Sequence, residues 1–193
     1  MKTLFTTRRR FGPASIVLAL ALLTGSGCKK VEDIITPKLP EVTQEGKGTF
    51  GCMVDGKLWL PYVQHTLDSE LEAEYSSTGG GIFHLRAEQE PEGKPYQYIH
   101  LSVLNQPGVL LKPGTYTAAT GFEGRLQAGN EYVTTASGPA TLTITKVEPR
   151  TVKVPGGGES RSTIVSGTFS FEATHAGGHK ATLTEGRFDV QAF

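Results

Sequence analysis

The stretch Thr49-Phe50-Gly51-Cys52-Met53-Val54-Asp55-Gly56-Lys57-Leu58-Trp59-Leu60 decides the fold. Phe50, Cys52 and Val54 recur at every second residue, the period of a strand with one buried face. Asp55-Gly56 then supplies the positive φ angles of a tight primed turn, and Lys57-Leu58-Trp59-Leu60 runs back. The segment therefore reads as an antiparallel hairpin.

The same period continues downstream. Residues 82–88 (IFHLRAE) and 96–104 (YQYIHLSVL) are separated by the polar turn Gln89-Glu90-Pro91-Glu92-Gly93-Lys94-Pro95 and should pair antiparallel. In the second of them Ile99, Leu101 and Val103 form the core face, leaving Tyr96, Tyr98 and His100 together on the other. Lys112-Pro113-Gly114 turns into a strand over 115–119, and strands follow over 131–136, 140–147, 164–173 and 188–192. Residues 66–76 fit either a helix through Leu67, Leu71 and Tyr75 or an alternating strand. The strand is preferred, because Gly79-Gly80-Gly81 lets it form a hairpin with residue 82 onward. About nine strands and no room for crossover helices predict an all-β fold, a single antiparallel β-sandwich, with a closed lipocalin-like barrel as the alternative.

The chain has 193 residues, 19 Lys+Arg and 19 Asp+Glu. Residues 1–27 hold four of those basic groups (Lys2, Arg8, Arg9, Arg10) and no acid, so their removal leaves 15 against 19, a net charge of −4. That balance argues against a nucleic-acid partner. Only two cysteines are present, which excludes a disulfide scaffold.

Residues 1–27 read as an export signal: a basic start, an apolar run over 14–23 and the small residues Thr24-Gly25-Ser26-Gly27. The apolar run is too short for a bilayer span of about 20 residues. Cys28 follows directly and looks like the acceptor of a bacterial lipobox, although Gly25 stands where that motif usually has Leu. Thr7-Arg8-Arg9-Arg10-Phe11 also resembles the twin-arginine export pattern and serves equally as ordinary leader charge. Lys29, rather than Asp, after the cysteine points to the outer membrane, with the periplasmic or the cell-surface face left open. Residues 28–47 then read as the lipidated cysteine and a flexible tether, and 48–193 as the domain.

Val54-Asp55-Gly56-Lys57-Leu58-Trp59, Pro113-Gly114-Thr115-Tyr116, Ser166-Gly167-Thr168-Phe169-Ser170-Phe171 and Thr184-Glu185-Gly186-Arg187-Phe188-Asp189-Val190 resemble the small outer-membrane lipoproteins of Bacteroidota whose function is unknown. The resemblance spans most of residues 49–193 and implies location and fold. It brings no catalytic residues.

Candidate chemistry is sparse. His175 and His179, in His-Ala-Gly-Gly-His, are two imidazoles on a glycine-rich loop, a weak metal pair that a hairpin turn explains as well. Cys52 lies on an apolar face with no base in its neighbourhood and reads as a buried small hydrophobe. Glu70, Glu72, Glu74, Glu88, Glu90 and Glu92 form an acidic region without a calcium-loop pattern. Pro155-Gly156-Gly157-Gly158 lacks the Lys-Ser/Thr and the helix of a phosphate-binding loop, so no cofactor is expected. The Tyr96, Tyr98 and His100 face remains as the binding candidate, for a glycan or a protein partner. The expectation is a lipid-anchored envelope protein acting as a non-catalytic binding module, with a hydrolase of envelope or dietary polymers as the alternative.

Overall fold

A computed structural model describes residues 37–64, 69–77, 81–104, 109–153 and 157–193. The export signal, Cys28 and the first part of the proposed tether, up to residue 36, therefore lie outside the described residues, as do the Gly79-Gly80 turn and the start of the 66–76 segment.

The opening hairpin forms as its sequence dictates. β1 (Thr49–Val54) and β2 (Lys57–Trp59) pair through Cys52 opposite Trp59, and the turn has φ of 49° at Asp55 and 74° at Gly56. Asp55 also accepts a 2.8 Å hydrogen bond from the Thr182 N–H, which ties the turn to the neighbouring strand. Nine further strands follow: β3 (Leu71–Ser76), β4 (Ile82–Gln89), β5 (Gln97–Val103), β6 (Gly114–Thr117), β7 (Phe122–Ala128), β8 (Asn130–Thr134), β9 (Ala140–Lys153), β10 (Glu159–Thr174) and β11 (Lys180–Ala192). A single 3-10 turn, Ala118–Thr120, is the one helical piece among the described residues.

All ladders are antiparallel, in the order β2-β1-β11-β10-β8-β7-β5-β4-β3, with β9 pairing β10 and β6 pairing β9. Strand β10 is the pivot: it pairs with β9 along most of its length and passes to β8 at Ala173 and Thr174. The sheet folds over at this point and brings two arms face to face. Phe83 of β4 stacks on Phe188 of β11 at 5.9 Å, and Phe122 of β7 meets Phe171 of β10 edge-on at 6.0 Å. Just past the end of β11, Phe193 bonds to β3, its N–H donating to Ala73 and its carbonyl accepting from Tyr75, both at 3.2 Å. That is no ladder, and the sheet is not closed into a barrel. The sandwich is the architecture, and the closed-barrel alternative falls.

The sequence reading missed β7 entirely and shortened β9, β10 and β11, which run for 14, 16 and 13 residues. In β7 the inward position between Phe122 and Leu126 is Gly124, which breaks the apolar alternation. The ring of Phe171 fills the space: a Cβ at Gly124 would lie 2.8 Å from it. Gly186 is likewise covered by Phe169, where a Cβ would approach to 2.5 Å. Bulges between Ser166 and Gly167 and between Phe169 and Phe171, together with a positive φ of 53° at Glu185, disrupt the period of the long strands and hide their length.

The domain boundary also moves. The compact unit begins at Lys38 rather than Gly48, so residues 38–47, expected in the tether, belong to the domain. They lie as a strap against the outer face of β10 and β11. Asp189, 1% exposed, holds them through hydrogen bonds from Thr43 Oγ1 (2.6 Å), Gly46 N (2.7 Å), Glu45 N (2.9 Å) and Lys47 N (3.3 Å). Ser166 Oγ donates to the same carboxylate at 2.7 Å. Burial pushes the Asp189 pKa up, but these donors outweigh it and bring the group down to about 2. Lys146 Nζ donates to the Gln44 carbonyl at 2.9 Å and Arg187 to the Pro40 carbonyl at 3.3 Å, fixing the strap at two more points. Ile164, fully buried yet outside the main core, lies beneath Gly46.

Candidate functional site

The alternation that buries Phe83, Leu85 and Ala87 of β4 and Ile99, Leu101 and Val103 of β5 turns His84, Arg86, Glu88, Tyr98 and His100 to the opposite, outer face. Register then lines residues up across the strands. Glu72 stands opposite Arg86, Arg86 opposite His100, and His100 opposite Arg125. In the next row Glu74 faces His84, which faces Ser102, which faces Glu123. In the third Glu88 faces Tyr98, which faces Gln127, which faces Glu131. Glu72, Glu74, His84, Arg86, Tyr98, His100 and Arg125 line a shallow concavity of about 370 Å³.

Within it the side chains are closely engaged. The His84 and His100 rings stack at 5.4 Å with an interplanar angle of 11°. Arg86 lies over the Tyr98 ring, 4.2 Å from its centroid, while its Nε donates to Glu88 at 2.6 Å and its Nη2 to the Tyr96 hydroxyl at 2.9 Å. Arg125 donates to Glu123 at 2.7 Å and to Glu131 at 3.1 Å. Burial, then the neighbouring His84 and Arg125, lower the His100 pKa below its ordinary value. Burial and the adjacent Glu88 raise that of Tyr96. The Nδ1 atom of His84 is buried without a hydrogen-bond partner.

The expected face of Tyr96, Tyr98 and His100 thus exists, but its composition differs from the one read in the sequence. Tyr96 precedes β5 and is 38% exposed, and the Tyr98 ring is covered by Arg86 rather than open for stacking. The acidic residues Glu72, Glu74 and Glu88, treated as a separate region, join the tyrosines on one surface. Arg86, Glu123, Arg125 and Glu131 were overlooked; the last three lie on β7 and β8, and the alternation Glu123-Arg125-Gln127 was the available signal.

The other candidates resolve locally. His175 and His179 close the β10–β11 hairpin: the His175 N–H donates to the His179 carbonyl at 2.8 Å, and the Gly177 N–H donates to His175 Nδ1 at 3.0 Å. One nitrogen of that ring is therefore committed to the turn. Among the described residues no three His, Cys, Asp or Glu side chains are placed to hold a metal. Cys52 is fully buried and its thiol pKa is pushed up to about 12 by that burial, which leaves no thiolate for nucleophilic attack. Glu90 accepts from the Gln64 N–H at 3.3 Å and helps hold the chain that crosses from β2 to β4. Trp59 is core and Tyr62 lies out in solvent at 55% exposure.

No family model matches the chain, and neither a curated protein nor a solved structure matches it.

Proposed function

We propose that the chain is a lipid-anchored outer-membrane protein whose sandwich presents a non-catalytic recognition surface on the outer face of β3, β4, β5 and β7. The concavity around His84, Arg86, Tyr98 and His100 carries this reading, because it gathers aromatic, imidazole, guanidinium and carboxylate groups on the rigid centre of a sheet. Glu88 is occupied by Arg86, and Glu123 and Glu131 by Arg125, which leaves Glu72 and Glu74 as the carboxylates of the concavity open to a partner. The anchor rests on the leader and on Cys28, and the outer membrane on Lys29.

Two measurements test the proposal. Cys28→Ser should abolish incorporation of a clickable fatty acid and release the protein from the membrane fraction; retention of both refutes the anchor. Glycan and peptide arrays probed with the wild-type chain and with the Tyr96→Ala, Tyr98→Ala double variant test the face. Loss of the bound signal at an unchanged thermal midpoint supports it, and undiminished binding by the variant removes it.

A further inference from the structure

Resting on the assignment of this face as the recognition surface, we infer that its occupant is a cationic polypeptide segment, an extended stretch bearing several Lys or Arg side chains, held at neutral pH and released on acidification. Charge is the first argument. Glu72, Glu74, Glu88, Glu123 and Glu131 outnumber Arg86 and Arg125, and both guanidinium groups are already neutralised by Glu88 and by Glu123 with Glu131. Glu72 and Glu74 line the concavity with no ion-pair partner among the described residues.

The second argument is that the face already seats a cation of its own. The Arg86 guanidinium sits on the Tyr98 ring at 4.2 Å and is held at its edges by Glu88 and the Tyr96 hydroxyl. That seat is filled, so a partner's Arg or Lys meets the neighbouring carboxylates Glu72 and Glu74 instead. A neutral sugar finds the Tyr98 ring occupied by Arg86. A metal ion is equally ill served: parallel rings with centroids 5.4 Å apart do not converge their nitrogens to about 2 Å from one metal.

The third argument is the histidine pair. Rings stacked at 5.4 Å repel when both are charged, so the arrangement belongs to a state with at least one neutral imidazole. The charged and titratable groups that face the pair are Glu72 and Glu74 from β3, Arg86 and Glu88 from β4, Tyr98 from β5, Glu123 and Arg125 from β7, and Glu131 from β8. With neutral imidazoles the face carries an excess of negative charge. Protonation within the pair adds positive charge at its centre, which reduces the excess and weakens the hold on a bound cation. From β3 to β8 the face crosses four inter-strand spacings of about 4.8 Å, roughly 19 Å in all, which an extended segment spans with about six residues.

The test titrates the detergent-purified full chain with fluorescein-labelled hexalysine and hexaglutamate, read by anisotropy at about pH 7.5 and about pH 5. Hexalysine should bind at the higher pH and about tenfold more weakly at the lower. Glu72→Gln with Glu74→Gln, both exposed on β3, should weaken binding at neutral pH by about three- to tenfold. His84→Gln with His100→Gln, or His100→Gln alone should the pair fail to fold, should bind at neutral pH and flatten the pH dependence. No hexalysine binding at neutral pH, equal binding of hexaglutamate, or a pH dependence as steep in the histidine variants overturns the inference. If a glycan or hexaglutamate binds instead and Tyr96→Ala with Tyr98→Ala abolishes it, the face stands and only the cationic occupant falls. Hexalysine binding that is indifferent to both the glutamate and the tyrosine variants overturns the face as well.

Discussion

Replacing Asp189 by Asn tests whether charge holds the strap of residues 38–47 on the sheet. The carboxylate accepts from two hydroxyls and three backbone N–H groups, at 2.6 to 3.3 Å, and donates to nothing. An amide of the same shape offers one accepting oxygen, and its NH₂ would point at donors. Burial opposes the charge and the donors prevail, so the pKa falls from the ordinary 3.8 to about 2. A depressed carboxylate stabilises the fold above its unfolded pKa and loses that contribution as pH falls through the folded value, here between about 4 and about 2. The difference amounts to about 2–3 kcal/mol at 1.36 kcal/mol per pH unit. Asp189→Asn should therefore lose about 3 kcal/mol at pH 7, the orphaned donors included, and melt roughly 6–12 °C lower. Urea unfolding at neutral pH and near pH 2 measures the loss, and hydrogen exchange at Glu45, Gly46 and Lys47 locates it. The two proteins should converge in acid, and these amides should exchange faster in the variant. An unchanged midpoint at neutral pH with protected amides, or a difference that persists undiminished near pH 2, would refute the reasoning.

Gly124→Ala and Gly186→Ala each push a Cβ into a phenylalanine ring, at 2.8 and 2.5 Å, and should cost about 1–3 kcal/mol by denaturant unfolding. Cys52 should resist alkylation by a maleimide in the native state and react only as the protein unfolds, since burial lifts its thiol to about 12; rapid native labelling would contradict its placement. The His100 ring should titrate below the usual value of 6.5 when followed by NMR. Its lowered pKa means the folded state binds fewer protons than the unfolded one, so stability should decline as pH drops through about 6.5, and His100→Gln should lessen that decline.

Much of the β architecture was legible in the chain because strand formation with one buried face writes itself locally. Period-two alternation in β1, β4 and β5, the Asp55-Gly56 turn and the polar 89–95 loop are each readable within a few residues, and each is found in the sandwich. That same alternation placed Tyr98 and His100 on a shared outer face. The leader and Cys28 likewise rest on local pattern alone. What local pattern could not supply is anything in which a distant residue completes a position. Gly124 is an inward-facing core position only because Phe171, from the other arm, fills the space that its missing side chain leaves, so β7 looked like a loop. Residues 38–47 looked like linker because their polar backbone has no partner nearby in sequence; its acceptor is Asp189, more than 140 residues away. The charge character of the recognition face depends on the same non-local physics. Antiparallel register puts Glu72, Arg86, His100 and Arg125 into one row from four separate strands, and only the assembled sheet decides that the Tyr98 ring is covered by a guanidinium.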